Sequence, residues 1–242
     1  MDLQHSDNAN GDRPAIIRVN GDQEWRINDQ LHRDNDQPAI IRVDGARYWF
    51  INGQLHRDND QPAIIRADGT RYWYINGQLH RDNDRPAIIH AYGYQEWYIG
   101  GQRHRDTILD QPAVIYANGN QYWYINGQLH RNNDQPAIIN ANGDQEWHIN
   151  GRRHRDNDRP AIIYANGNQY WYIGGQRHRD TILDQPAVID IENSIIEWYT
   201  SNIKTKSCKF TQELYDMYRY HENKQDPNMV GIQFIDFDVE II

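Results

Sequence analysis

The sequence predicts an all-β fold: an elongated single-layer antiparallel β-meander of stacked hairpins, eight repeats of about 24 residues, with a small α+β C-terminal cap. Three observations predict it. Pro-Ala recurs at Pro14, Pro38, Pro62, Pro86, Pro112, Pro136, Pro160 and Pro186. The step is 24 residues, stretched to 26 from Pro86 to Pro112 and from Pro160 to Pro186. All eight tryptophans keep step with it, at Trp25, Trp49, Trp73, Trp97, Trp123, Trp147, Trp171 and Trp198. Within a repeat such as 54–77, Asp68-Gly69 and Asn76-Gly77 separate short β-prone runs, the strongest local signal for a hairpin.

Taken in order, residues 1–11 are an N-terminal extension and the hairpin array runs over 12–199. In the repeat 54–77, both dipeptide turns are expected to be type I′, with φ > 0 at both central residues. The long arm from Gln54 to Ala67 should bend at Asp58-Asn59-Asp60-Gln61, and Pro62, which lacks an N–H, favours an edge or bulge there. By strand alternation Trp73 and Ile75 point one way and Tyr72 and Tyr74 the other. The Trp position never changes between copies, and the Ile position holds from Ile27 to Ile173. The flanking positions drift, with Glu24, Tyr48, Tyr72, Glu96, Tyr122, Glu146 and Tyr170 before the Trp. The constant face is therefore expected to pack, with the tryptophans as a structural spine, because packed interiors tolerate little volume change. The drifting face should meet solvent or a partner. Residues 37–110 and 111–184 align as two blocks of three repeats, so the array grew by duplication and serves length or valency. Residues 200–242 read as a cap. Thr211 opens a helix over 212–223, and Ile235, Phe237, Val239 and Ile241 alternate with acidic residues as a last strand. Such a cap would cover the open edge of the array.

Composition narrows the function. Net charge is −9, from 25 basic and 34 acidic residues, and no basic stripe exists to hold nucleic acid. Attraction to anionic lipid is disfavoured on the same ground, so membrane association is the weaker expectation. Cys208 is the one cysteine and cannot form an internal disulfide. No signal peptide or transmembrane run is visible, which points to the cytoplasm. The repeated His-Arg, from His32 to His178, resembles a metal ladder at first. Equivalent histidines two strands apart would lie about 10 Å from each other, too far to share an ion. The expectation is that His56 and its copies orient the bend, with a carboxylate of Asp58-Asn59-Asp60 as partner. That segment starts like a calcium loop, but Ala63 and Gly69 stand where the loop needs glycine and glutamate. No nucleophile elbow, phosphate loop or zinc spacing occurs, so no catalytic residue, metal or cofactor is expected, and no enzyme.

Trp49, Asn52, Gly53 and His56, followed by a strand and then Asp68, Gly69 and Tyr72, resemble the MORN repeat, the membrane occupation and recognition nexus unit. The resemblance covers roughly residues 12–199. His56-Arg57 followed by Pro62-Ala63 is similar to a variant found in predicted proteins of large DNA viruses and phages. The chain departs from the MORN pattern at the glycines that follow the histidine there. The resemblance implies stacked hairpins in one sheet, and protein interaction or phospholipid binding as function. It also implies a viral structural or interaction protein, in the host cytoplasm or the virion.

The sequence thus leads to a non-catalytic repeat scaffold that binds another protein or itself as a homo-oligomer. The alternative is a lipid- or glycan-binding module. Its surface would be an aromatic strip of Tyr72, Tyr74, Tyr98, Tyr122, Tyr124, Tyr170 and Tyr172, whose rung spacing of about 10 Å is comparable to a disaccharide. The same tyrosines could equally pair across strands to stabilise the sheet.

Overall fold

The computed structural model describes residues 3–4, 13–105, 109–179, 185–211 and 216. The chain divides into two units, Met1–Gly127 and Gln128–Ile242. In the first unit, two-residue strands follow one another in chain order as an antiparallel meander. They are Ile16–Ile17, Gln23–Glu24, Ile40–Ile41, Arg47–Tyr48, Ile64–Ile65, Arg71–Tyr72, Ile88–Ile89, Gln95–Glu96, Val114–Ile115 and Gln121–Tyr122. Leu3–Gln4 pairs with Ile16–Ile17 at the start. The register sets Ile64 opposite Tyr72 and Tyr72 opposite Ile88. Residues directly opposite share a face, so aliphatic residues alternate with Tyr or Glu along one row.

Three chain reversals build each repeat. Asn76-Gly77 joins Tyr74–Ile75 to Gln78–Leu79 with φ of 49° and 77°, the type I′ turn that the dipeptide favours. Asp68-Gly69 does otherwise. Among its central residues Gly69 alone has positive φ, at 88°. Its N–H donates to the Arg66 carbonyl (3.0 Å), while the Arg66 N–H donates to Thr70 (2.9 Å). This is a three-residue loop closed by a left-handed glycine, and it corrects the expected I′ turn. The Asp68 carboxylate secures the loop by accepting the Thr70 N–H at 2.8 Å. The third reversal is the bend. Asn59 and Asp60 both adopt left-handed backbone (φ 56° and 55°), and the Gln61 N–H reaches the Asp58 carbonyl. Asn and Asp are the non-glycine residues that accept this conformation most readily.

Between its two hairpins each strand is interrupted at the tryptophan. The Trp73 N–H donates to the Ala87 carbonyl of the next repeat at 2.8 Å, and its carbonyl accepts the His80 N–H. Ala63, Ala87 and Ala113 of the Pro-Ala pairs are wholly buried, as are most of Ile64, Ile88 and Val114. The Ile position that keeps step with the Trp is not part of that core. Ile99 is 46% exposed, and Ile51, Ile75 and Ile125 are half-buried. The reason is topological. Tyr74–Ile75 and Gln78–Leu79 form a separate two-stranded sheet, tied to the preceding one, Phe50–Ile51 with Gln54–Leu55, by the Gly77 N–H to the Leu55 carbonyl (2.9 Å). Alanine, not isoleucine, is the buried companion of the indole.

The second unit repeats the scheme through Ile138–Ile139, Gln145–Glu146, Ile162–Ile163, Gln169–Tyr170 and Val188–Asp190. It then changes to longer strands, Ile195–Thr200 and Ile203–Lys209, joined by Ser201-Asn202 at φ 47° and 70°. Trp171, Ala187, Ile189, Ile196, Trp198, Cys208 and Phe210 form its apolar cluster. The described part of the segment expected to be a cap is thus strand. The helix expected over 212–223 and the strand expected over 235–241 lie outside the described residues, apart from residue 216.

Because Ala87 is fully enclosed and its carbonyl holds the Trp73 N–H, Ala87→Leu should lower unfolding stability by about 1–3 kcal/mol through overpacking. Urea denaturation followed by tryptophan fluorescence measures it. An unchanged midpoint would mean that the alanine row is loosely packed.

Candidate functional site

The bend exists to cover the tryptophan. The Trp73 Nε1–H donates to the Asp60 carbonyl at 3.0 Å, which places the ring against the left-handed turn. Arg81 closes the other side, its guanidinium 3.8 Å from the ring centroid. Two parallel hydrogen bonds, 2.8 and 2.9 Å, then tie Arg81 to the Asp60 carboxylate, and a third reaches the Pro86 carbonyl. The planar guanidinium allows both at once, stacking on a ring with its face and chelating a carboxylate with its edge. The arrangement recurs with Trp49, Arg57 and Asp36 and with Trp97, Arg105 and Asp84. In the second unit it recurs with Trp147, Arg155 and Asp134 and with Trp171, Arg179 and Asp158. All eight indoles, from Trp25 to Trp198, are only 2–6% exposed.

The histidines join successive two-stranded hairpins. His56 Nδ1 accepts the backbone N–H of Asn76, in the turn of the next such hairpin, at 3.1 Å, and its Nε2 meets Asp58 Oδ1 at 3.0 Å. A carboxylate only accepts, so the Nε2 N–H donates to it, and Nδ1 lies 3.1 Å from the Asn76 Oδ1 as well. His80 does the same with Gly100 and Asp82, and His154 with Gly174 and Asp156. The bend carboxylate was legible as a partner. The contact with the next hairpin was not, because it spans 20 residues.

On the drifting positions the structure brings some of the expected tyrosines together. Tyr72 meets His90 edge-on at 6.3 Å, His90 stacks on Tyr94 at 4.4 Å, Tyr94 on Tyr116 at 4.4 Å, and Tyr116 meets Tyr122 edge-on. His90, Tyr94 and Tyr116 escaped the sequence reading. His90 and Tyr116 occupy the position before the variable turn that holds Arg18, Arg42 or Arg66 in other copies, Tyr94 occupies the one after it that holds Asp22, Ala46 or Thr70, and only the register shows that these rings are adjacent. Tyr98 and Tyr124 sit apart from this run, under the Arg103 guanidinium at 5.8 and 5.6 Å. Tyr74 is half-buried, and burial raises its hydroxyl pKa. In the second unit Tyr170 packs edge-on against Tyr164, and Tyr172 lies beneath Arg153.

Where Glu replaces Tyr before the tryptophan, cations follow it. Glu96 is buried, and it accepts from Arg103 (2.8 Å) and Tyr98 (3.0 Å), with His90 at 3.3 Å. Burial pushes its carboxyl upward, but the Arg103 ion pair outweighs that and holds it below the ordinary value. Burial together with that carboxylate pushes the Tyr98 hydroxyl up to about 12. Glu24 pairs with Arg18 and Arg26, and Glu146 with Arg153 and His148. Cys208 is fully buried, and desolvation pushes its thiol up to about 11, which leaves it unreactive.

Two cavities open between successive bends of the first unit. One, of about 330 Å³, has Trp73, Tyr74, Ile75, Asp58 and Asp82 in its lining. The next, of about 250 Å³, has the residues one repeat on, Trp97, Tyr98 and Ile99, and shares Asp82. Among the described residues no cluster of three or more His, Cys, Asp or Glu side chains could hold a metal, and no helix is long and apolar enough to cross a membrane.

The Arg81 hydrogen bonds hold the Asp60 carboxyl below its ordinary value of 3.8, against the opposing effect of burial. A lowered folded value stabilises the fold fully above 3.8, and that contribution disappears as pH falls through the folded value. Asp60→Asn should therefore unfold at lower urea than wild type at neutral pH, with the two midpoints converging in acid. Parallel urea titrations check this, and a gap that persists undiminished in acid would assign the effect to packing.

No family model and no curated protein matches the chain.

Proposed function

We propose that the chain is a non-catalytic repeat scaffold that binds protein, another chain or a further copy of itself, through a surface presented once per repeat. One observation carries the reading. Each repeat commits its Trp, one Arg, one Asp and its His to holding neighbouring repeats together, and offers the remainder outward at a constant interval. Equal, evenly spaced contacts multiply weak binding into avidity. The MORN-like reading of the repeat belongs to this proposal, as do a cytoplasmic setting and a virus-encoded structural role. Neither a catalytic centre nor a cofactor enters it.

The stacked run from Tyr72 to Tyr122 favours a second reading, in which a glycan or lipid headgroup lies along the aromatic side chains. Two measurements separate them. Light scattering over a concentration series and affinity capture from the source cell test the scaffold. Vesicle flotation and a glycan array test the second reading, each with a variant carrying Tyr72→Ser, Tyr94→Ser and Tyr116→Ser. Concentration-dependent assembly or a saturable protein partner, with no vesicle or glycan binding, is the expected result. A monomer that captures nothing but binds glycan or vesicles, and loses that binding in the tyrosine variant, would replace the scaffold with the second reading.

A further inference from the structure

We infer that the successive bends around Asp34, Asp58 and Asp82 form a docking groove for an extended polyproline-II segment carrying a cation at every third residue. The inference rests on the protein-binding reading and names the chemistry of the partner.

The argument starts from charge. Each of these three bends has an arginine directly after its histidine and two aspartates. Arg57 and Arg81 are spent on Asp36 and Asp60, and their side chains are only 14% and 12% exposed. Arg85 adds a second cation to Asp60. The other carboxylate stays outside, with Asp34 48%, Asp58 71% and Asp82 70% exposed. Among the described residues its side chain meets a histidine Nε2, on one oxygen. The fold does not need this charge. At the equivalent place in the second unit His130 Nε2 makes the same bond, 3.0 Å, to the amide oxygen of Asn132. A neutral side chain thus does the structural work, and the three carboxylates are a surplus facing solvent.

Spacing selects the partner. Neighbouring strands lie about 4.8 Å apart, so one repeat of two strands advances about 10 Å. A polyproline-II segment has three residues per turn at about 3.1 Å each, so every third side chain returns to the same face after about 9.3 Å. A β-strand returns to the same face after two residues, about 6.7 Å, and falls out of step with the carboxylates. Polyproline-II is also the conformation that docks on aromatic-lined grooves. Here the cavities of about 330 and 250 Å³ are lined by Trp73 with Tyr74 and by Trp97 with Tyr98, one repeat apart. The indoles are covered, so the segment's prolines would lie against Tyr74 with Ile75 and against Tyr98 with Ile99, while its cations meet Asp34, Asp58 and Asp82.

The test uses fluorescent peptides and the full chain, read by anisotropy. One probe has four Pro-Pro-Lys triplets. The other has the same composition with its lysines together at one end. The protein is compared with the double variant Asp58→Asn, Asp82→Asn, which keeps the histidine bond as Asn132 does, and with Asp58→Lys, Asp82→Lys. The periodic probe should bind more tightly than the clustered one. It should lose about threefold to tenfold in affinity in the amide variant, more in the lysine variant, and weaken with salt. Equal binding of the two probes, no binding of either, or an unchanged affinity in both variants would overturn the inference. Self-association or a saturable protein partner that persists in the amide variant would leave the scaffold reading standing while this groove falls.

Discussion

The structure depends on covering an indole with the chain's own backbone and a single arginine. Burying a tryptophan removes roughly 150–250 Å² from water, worth about 4–6 kcal/mol at the usual coefficient, and a desolvated guanidinium over the ring adds about 2 kcal/mol. Against this stand two non-glycine residues in left-handed backbone, at about 1–2 kcal/mol each and less for Asn and Asp. The indole wins, which explains why the bend at Asn59 and Asp60 keeps positive φ without a glycine. The bend is the lid of the tryptophan, and the sequence between His56 and Pro62 is shaped by that task.

The same contacts make the repeats interdependent. Arg81 belongs to one repeat and its carboxylate, Asp60, to the one before. The Trp73 N–H seeks Ala87 ahead, and the Gly77 N–H seeks Leu55 behind. In the described clamps the arginine and its carboxylate come from different repeats, so stability grows through nearest neighbours, as in other repeat architectures. The last hairpin shows how the pattern closes. Lys206 takes the arginine's place over Trp198, at 4.5 Å, and the Asn202 N–H makes to the Arg177 carbonyl the bond that a glycine makes elsewhere. The first repeat has Asn28-Asp29 where later copies have Asn-Gly or Gly-Gly, both at positive φ. The glycines at 53, 77, 101, 127, 151 and 175 thus belong to turns that donate to the preceding two-stranded hairpin.

Much of the fold was legible because its signals are local. The Pro-Ala and Trp periods gave the repeat, Asn76-Gly77 gave a I′ hairpin, and Asp58–Gln61 gave a bend. What escaped reading was set by neighbours about twenty residues away. Strand alternation placed Ile75 with Trp73 in the core, but the strand is interrupted at the tryptophan, and Ile99 is 46% exposed. Asp68-Gly69 looked like Asn76-Gly77, yet it closes a three-residue loop, as Tyr92-Gly93 does without an Asx bond. Arg81 and Asp60 were both visible as repeated letters, and no periodicity says that they chelate across 21 positions. The candidate surface was legible as tyrosines but not as a continuous run, since His90, Tyr94 and Tyr116 complete it only through the register.

Repetition itself separates what a residue does for the fold from what it does for a partner. A position that every copy needs for stacking should not vary, and the Trp and the Pro-Ala alanine do not. A position whose structural bond survives substitution is free to carry another property. The residue after His-Arg shows this, since an amide at Asn132 accepts the histidine as well as a carboxylate at Asp58 or Asp82 does. The position before the tryptophan shows it too. Glu96 and Glu146 are held by Arg103 and Arg153, while Tyr72 and Tyr122 are held by neighbouring rings. Two solutions of equal structural merit alternate along one sheet, so the fold does not choose between them. Whatever chooses acts on the surface they present, and the bends of the first unit present negative charge at the spacing of the repeat.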